Sequence, residues 1–242
     1  MKIAVISAAR TRSSALTTFL SETHPELEYL WEFYSRNITA LKKTDRDQIT
    51  EELFRDHDHF LVKILGQNFS LNSDLPGKFV GDENIRPERM RLENYDFLYL
   101  IERHDYFHQL CSYVVAYYSR IFNQLKSNPA DRFAEFRNQK FDITHQATTL
   151  ITGDIAGYMR IKKYVIDNGL PFQLYNSEMD LTEDISEKAR TKIIDRDYSI
   201  LVNNYHSLKP KFEEAFARHF NYETCQRDYD SFINEVNDIL SS

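Results

Sequence analysis

Eight consecutive residues, Ser7-Ala8-Ala9-Arg10-Thr11-Arg12-Ser13-Ser14, carry the densest chemistry in this chain. They follow the apolar run Ile3–Ile6 and lead into a helical pattern from Ser14 to Glu22, which stacks Leu16, Phe19 and Leu20. A strand, a tight loop and a helix start gather free backbone N–H groups at the positive end of a helix dipole, and that combination holds an anion. The small residues Ala8 and Ala9 let the backbone approach such a group. The hydroxyls of Thr11, Ser13 and Ser14 and the charge of Arg10 add donors. An ordinary polar turn with a capping serine is the plainer reading of the same residues.

Lys63 is the next anomaly, because it interrupts the apolar run Phe60–Leu65. An unpaired charge inside a strand is costly, so this lysine needs a partner, or else it marks an edge strand protected against aggregation. Arg86, Arg89 and Arg91 form a basic segment in an acidic protein, either solvated or in contact with an anion. His57-Asp58-His59 turns two imidazoles the same way on an extended chain, but no third ligand accompanies them, so a metal reading is rejected. Cys111 and Cys225 form no CxxC pair and are too few for a disulfide framework.

The elements that must position these residues read as an α/β fold. Ile3–Ile6, Phe60–Leu65, Phe97–Ile101 and Phe172–Tyr175 are continuous apolar runs, the pattern of parallel strands covered on both faces. Helical spacing fills the intervals: Thr44 to Arg55, a long stretch from Phe107 through Phe122, and Ala147 to Asn168. Gly169-Leu170-Pro171 is a stop signal before the fourth run. The last roughly sixty residues read as helices only. No repeat and no Gly/Ser- or Pro-rich linker divides the 242 residues, so a single domain is expected: a short parallel sheet flanked by helices, a P-loop-like first βα loop and a helical C-terminal region.

Composition bounds the function. Hydrophobic residues at 42% and charged residues at 28% describe a globular chain with material for a core. A net charge of −7 sets a generic nucleic-acid binder aside. No apolar run approaches the roughly 20 residues of a membrane span. The start, Met1 to Ile6, lacks the apolar length of a signal peptide, so a cytoplasmic location is expected, and the sequons at Asn37 and Asn68 read as chance.

The loop has the length of GxxxxGK[ST], with Ser7 and Arg12 at the glycine positions, Ser13 at the lysine and Ser14 at the hydroxyl. The missing glycines and lysine count against a P-loop NTPase. The chain resembles instead the sulfotransferases that use 3′-phosphoadenosine 5′-phosphosulfate (PAPS). Their first strand runs into a PRSGS or PRTGS loop and then a helix. Arg10, Thr11, Ser13 and Ser14 fall on the matching positions, while Ala9 replaces the usual Pro and Arg12 the usual Gly, which often supplies a permissive backbone. The resemblance implies that residues Ala8 to Ser14 hold the 5′-phosphate side of PAPS.

It extends to Phe97–Ile101, which ends in Glu102-Arg103 and is followed by Ser112. The resemblance implies that Arg103 and Ser112 hold the 3′-phosphate, where a surface salt bridge and a small residue between packed helices are their plainer readings. The commonest spacing falls on Cys111, one residue earlier, whereas Asp105, Gln109 and Ser112 suit the bacterial trehalose-type pattern. The likeness is specific at residues 3–34 and 96–119. Leu174 to Met179 weakly echoes a YEDL-like segment, and no basic, Gly-containing C-terminal closing loop is evident.

Sulfuryl transfer, the activity so implied, moves SO₃ in line from a phosphate to an acceptor oxygen, with fixed donors and cations in place of a metal. It needs a base. The family position falls on Glu32, beyond His24-Pro25 and among Trp31, Phe33 and Tyr34, which can exclude water and stack on a sugar or ring. Glu28 and His24 are reserves, and a solvated helix carboxylate is the plain reading of Glu32. Lys63 is implied at the sulfuryl or bridging oxygen, with Arg10 beside it. The acceptor, a carbohydrate or another small molecule, is not legible, and neither is the oligomeric state. The alternatives are a P-loop-type nucleotide or small-molecule kinase and a catalytically silent nucleotide-binding member.

Overall fold

The computed structural model describes residues 1–34, 37, 45–69, 86–103, 109, 113, 145–177 and 180. The chain divides into two compact units, Met1–Glu102 with Gly153–Thr191, and Arg103–Thr152 with Lys192–Ser242. The first unit holds a five-stranded sheet in which every pairing is parallel. Its strands are β1 (Lys2–Ser7), β2 (Glu28–Leu30), β3 (Phe60–Leu65), β4 (Phe97–Glu102) and β5 (Phe172–Asn176), in the order β2-β3-β1-β4-β5.

β1 and β3 read as near-continuous apolar runs because both of their faces are buried. Register pairs Ile3 with Leu61, Val5 with Lys63, and Ser7 with Leu65 on one side and Ile101 on the other. On one face, Ile3, Val5, Leu61 and Ile101 join Leu16 and Leu20 of helix α1 (Ser13–Thr23) in a single apolar cluster. Alternation along β3 puts Lys63 on the same face as Leu61, the face that α1 covers.

Two further helices are described in part or whole. Helix α2 (Arg46–Asp56) starts at the Asp45 cap, whose carboxylate accepts from the amides of Asp47 and Gln48 at 3.0 and 3.3 Å. Helix α3 (His145–Asp167) ends in a Schellman motif: Gly169, at φ 59, donates to Ile166 O and Leu170 donates to Val165 O, each at 3.1 Å. No helix among the described residues is long and apolar enough to cross a membrane.

Two readings change. The three-residue strand β2 was not expected; it is held by pairing with β3 and is too short to show a period of its own. β3 therefore lies between β2 and β1, and Lys63 is not an edge-strand lysine. Gln109 and Tyr113 are helical, while the rest of the stretch from Phe107 to Phe122 and the last sixty or so residues lie outside the described residues.

The strand order sets where a ligand can go. From β1 the chain turns outward to β2, whereas from β4 it turns the other way to β5. Adjacent strands whose connections diverge leave a crevice beyond their carboxyl ends. The residues that follow β1 line that crevice.

Candidate anion site at the carboxyl edge of the sheet

β1 ends at Ser7, a buried serine whose hydroxyl has no hydrogen-bond partner among the described residues. The loop beyond it departs from an ordinary βα turn. Arg10 and Arg12 both adopt left-handed conformations, at φ 65 and φ 59. Each such non-glycine residue costs on the order of 1–3 kcal/mol and persists only where its surroundings enforce it. Here Thr11 Oγ1 donates to Ala8 O at 3.0 Å, Arg12 Nη1 donates to Ser177 O at 3.2 Å, and the Ala9 amide donates to the Asp154 carboxylate. Arg12 thus takes both the position and the backbone conformation that a glycine would take with less strain.

The same residue caps α1, and no side chain serves as the cap. The capping-serine reading is therefore set aside. Arg12 O receives the amides of Ala15 and Leu16, at 2.9 and 3.4 Å. The amides of Ser13 and Ser14, at the positive end of the helix, have no backbone acceptor among the described residues.

Lys63 completes this point. From the interior of β3 its ammonium reaches the first turn of α1 and donates to Ser14 Oγ at 3.0 Å and to Glu32 Oε1 at 2.7 Å. The Lys63 side chain is 6% exposed and that of Glu32 30%. The ammonium also lies 5.6 Å from the centre of the Trp31 ring. Three segments far apart in sequence therefore meet: Ser14 on the loop side, Lys63 between, and Glu32 with Trp31 on the other side. The Lys63 ammonium stands beside the positive end of the α1 dipole, and Glu32 is its ion-pair partner. No family model, curated protein or solved structure matches the chain.

The reserves for Glu32 fall away on position. Glu28 begins β2, about 7 Å of strand from its other end, and binds His57 Nδ1 at 2.6 Å. His24 caps the C-terminal end of α1, about 16 Å of helix from the loop, and pairs with Glu26 at 3.2 Å. Glu32 follows β2 in a turn and is not a helix carboxylate. Of its aromatic neighbours only Trp31 is exposed, with Tyr29 edge-on at 5.5 Å. Tyr34 is fully buried, 3.3 Å from Thr50 Oγ1, and Phe33 packs on Tyr34 and His57, so neither offers a stacking surface. Burial pushes the Tyr29 hydroxyl well above the ordinary tyrosine range, and the Glu32 charge acts in the same direction. Tyr29 therefore stays protonated.

The other expected residues divide. Arg103 is buried directly after β4 and belongs to the second unit, as does the buried Gln109. Ser112, Cys111 and Asp105 lie outside the described residues. Arg89 grips Asp47 through Nε and Nη2, the latter at 2.6 Å, and Arg91 binds Glu51 at 2.8 Å; these two tie the segment before β4 to α2. Asp154 was missed. Its signal was a carboxylate on the buried stripe that Tyr158, Ile161 and Val165 continue along α3.

Proposed function

We propose that the protein is a sulfotransferase that moves a sulfuryl group from PAPS to a hydroxyl of a small, hydroxyl-bearing acceptor. The observation that carries this reading is the bridging position of Lys63 between Ser14 Oγ and Glu32 Oε1. PAPS supplies an activated sulfuryl group on a phosphate leaving group. The residues present suit such an anion: the amides of Ser13 and Ser14, which have no backbone acceptor among the described residues, the Ser7 hydroxyl, which has no hydrogen-bond partner among them, and a buried ammonium at the same helix end.

In this reading the α1 amides and Lys63 stabilise the charge that grows on the departing phosphate oxygen. Glu32 accepts the proton of the acceptor hydroxyl as its oxygen bonds to sulfur and the S–O bond to phosphate breaks. Trp31 gives the acceptor an apolar face. Arg10 supplies charge at the loop, and Arg103 with Ser112 keeps the 3′-phosphate role that the resemblance implies.

A second reading, a magnesium-dependent kinase, is favoured by one observation. The loop lacks the P-loop lysine, yet Lys63 delivers an ammonium to the same helix end. Thermal shift separates the two. The expected result is stabilisation by adenosine 3′,5′-bisphosphate in excess chelator, with Arg103→Ala weakening that ligand far more than adenosine 5′-phosphate. Stabilisation by ATP with magnesium alone would replace the first reading with the second. Equal weakening of both nucleotides would remove Arg103 from the 3′-phosphate.

A further inference from the structure

We propose that the outer edge of β5 is a self-association surface, on which a second copy of this chain pairs antiparallel about a two-fold axis at Gln173 and joins the two sheets into one.

Among the described residues β5 is an edge of the sheet, paired with β4 alone. The bonds at the two ends of that pairing set its phase. Leu98 N–H donates to Pro171 O at 3.1 Å, and Ser177 N–H donates to Glu102 O at 2.8 Å. A parallel ladder uses every second residue of a strand, so Gln173 and Tyr175 bond to β4, while Phe172 and Leu174 turn their N–H and C=O outward. Those outward groups have no partner among the described residues.

A row of open backbone groups is a template for another strand, and edges are commonly blunted by charge, proline or shortness. The opposite edge, β2, is guarded: it has three residues and starts at Glu28, which is tied to His57. β5 has five residues, none of them charged, and its Phe172 and Leu174 side chains share one face and are 36% and 40% exposed. Pro171 does not guard the outer side, because at its phase the backbone faces β4.

The limits of the open stretch select the occupant. At one end Leu170 N–H is spent on Val165 O. At the other, Asn176 N–H donates to the Asp180 carboxylate at 2.6 Å, and Asn176 O accepts the Asp180 amide at 2.8 Å. A second copy on a two-fold axis through Gln173 sets Phe172 of each chain opposite Leu174 of the other. Each such pair exchanges both N–H···O bonds, so every outward group of Phe172 and Leu174 is satisfied. An axis through Leu174 would instead set Phe172 opposite the occupied groups of Asn176. The Gln173 axis also puts an exposed phenyl ring beside an exposed leucine, with no charge on either strand to repel. An unrelated peptide would match this short window only by chance, whereas the chain's own edge matches it by symmetry.

So short a window makes a small interface, and sedimentation is expected to show a reversible dimer forming at roughly 10–500 µM. Leu174→Pro removes an outward N–H and leaves the bonds to β4, a change that edge strands tolerate. It should raise the dissociation constant at least about tenfold. Gln173→Cys meets its own copy across the axis at a non-hydrogen-bonded position, where the side chains are close enough for a disulfide. Mild oxidation should link it at least about tenfold faster than Ile166→Cys, which is equally accessible to collision on α3, and Leu174→Pro in the same chain should abolish the difference. The wild type, with Cys111 and Cys225, is the background for both. A wild type that stays monomeric to about 500 µM overturns the proposal. So does a dimer that a folded Leu174→Pro leaves intact, or one in which Gln173→Cys links no faster than Ile166→Cys. If Leu174→Pro does not fold, the ratio of the two linking rates decides alone.

Discussion

β2 carries a glutamate near each of its ends, and the two meet very different partners. Glu28, at the amino end, is 55% exposed and binds His57 on the surface. Glu32, past the carboxyl end, binds a lysine that is 6% exposed and that also touches the first turn of α1. The first pair resembles the many surface ion pairs worth about 0–1 kcal/mol. The second sets a buried ammonium against the positive end of a helix, where folding alone gains little from it. Under the proposed function that contrast separates the end of β2 that serves a ligand from the end that serves only the surface.

The largest expected effect falls on Glu32. Glu32→Gln keeps the shape and removes the basicity, so the transfer rate should fall by about 10²–10⁴-fold while affinity for adenosine 3′,5′-bisphosphate stays nearly constant. Steady-state rates and nucleotide titrations on the same preparation check this. Normal transfer by Glu32→Gln would erase the distinction between the two ends of β2.

A smaller effect concerns the loop that Lys63 faces. Arg12→Gly and Arg12→Ala both lose the bond to Ser177, but only glycine relieves the left-handed backbone. Arg12→Gly should therefore unfold with about 1–2 kcal/mol more stability than Arg12→Ala. Denaturant melts of the two variants measure the difference, and equal midpoints would mean that the loop is not strained at Arg12.

The smallest effect is at Glu28. Glu28→Gln should change stability by no more than about 1 kcal/mol and leave the transfer rate unaltered. A rate loss there matching that of Glu32→Gln would assign the chemistry to the wrong end of the strand.

The loop and the oddity of Lys63 were legible because each breaks a local rule: polar residues crowd a strand end, and a charge interrupts an apolar strand. What joins them was not. Lys63 meets Ser14 only because β3 pairs with β1 in the register that sets it opposite Val5 beneath α1, and strand order is not written in any one segment. Glu32 looked like a helix carboxylate because the three residues of β2 carry no period, and pairing with β3 alone makes them a strand. Asp154 escaped notice for the opposite reason: its stripe on α3 was regular, and the amide that receives its carboxylate is 145 residues away in sequence.

The central claim is that the Lys63 ammonium at the start of α1 is half of an anion site. Its most direct test is calorimetric titration of adenosine 3′,5′-bisphosphate, without metal, into the wild type and Lys63→Met. Methionine keeps most of the volume in β3 and removes the charge, so circular dichroism and melting should confirm a folded variant. The wild type is expected to bind, and Lys63→Met to bind about 10–150-fold more weakly, the worth of one charge-assisted contact. Equal affinity of a folded Lys63→Met and the wild type would contradict the claim and return Lys63 to a purely structural ion pair.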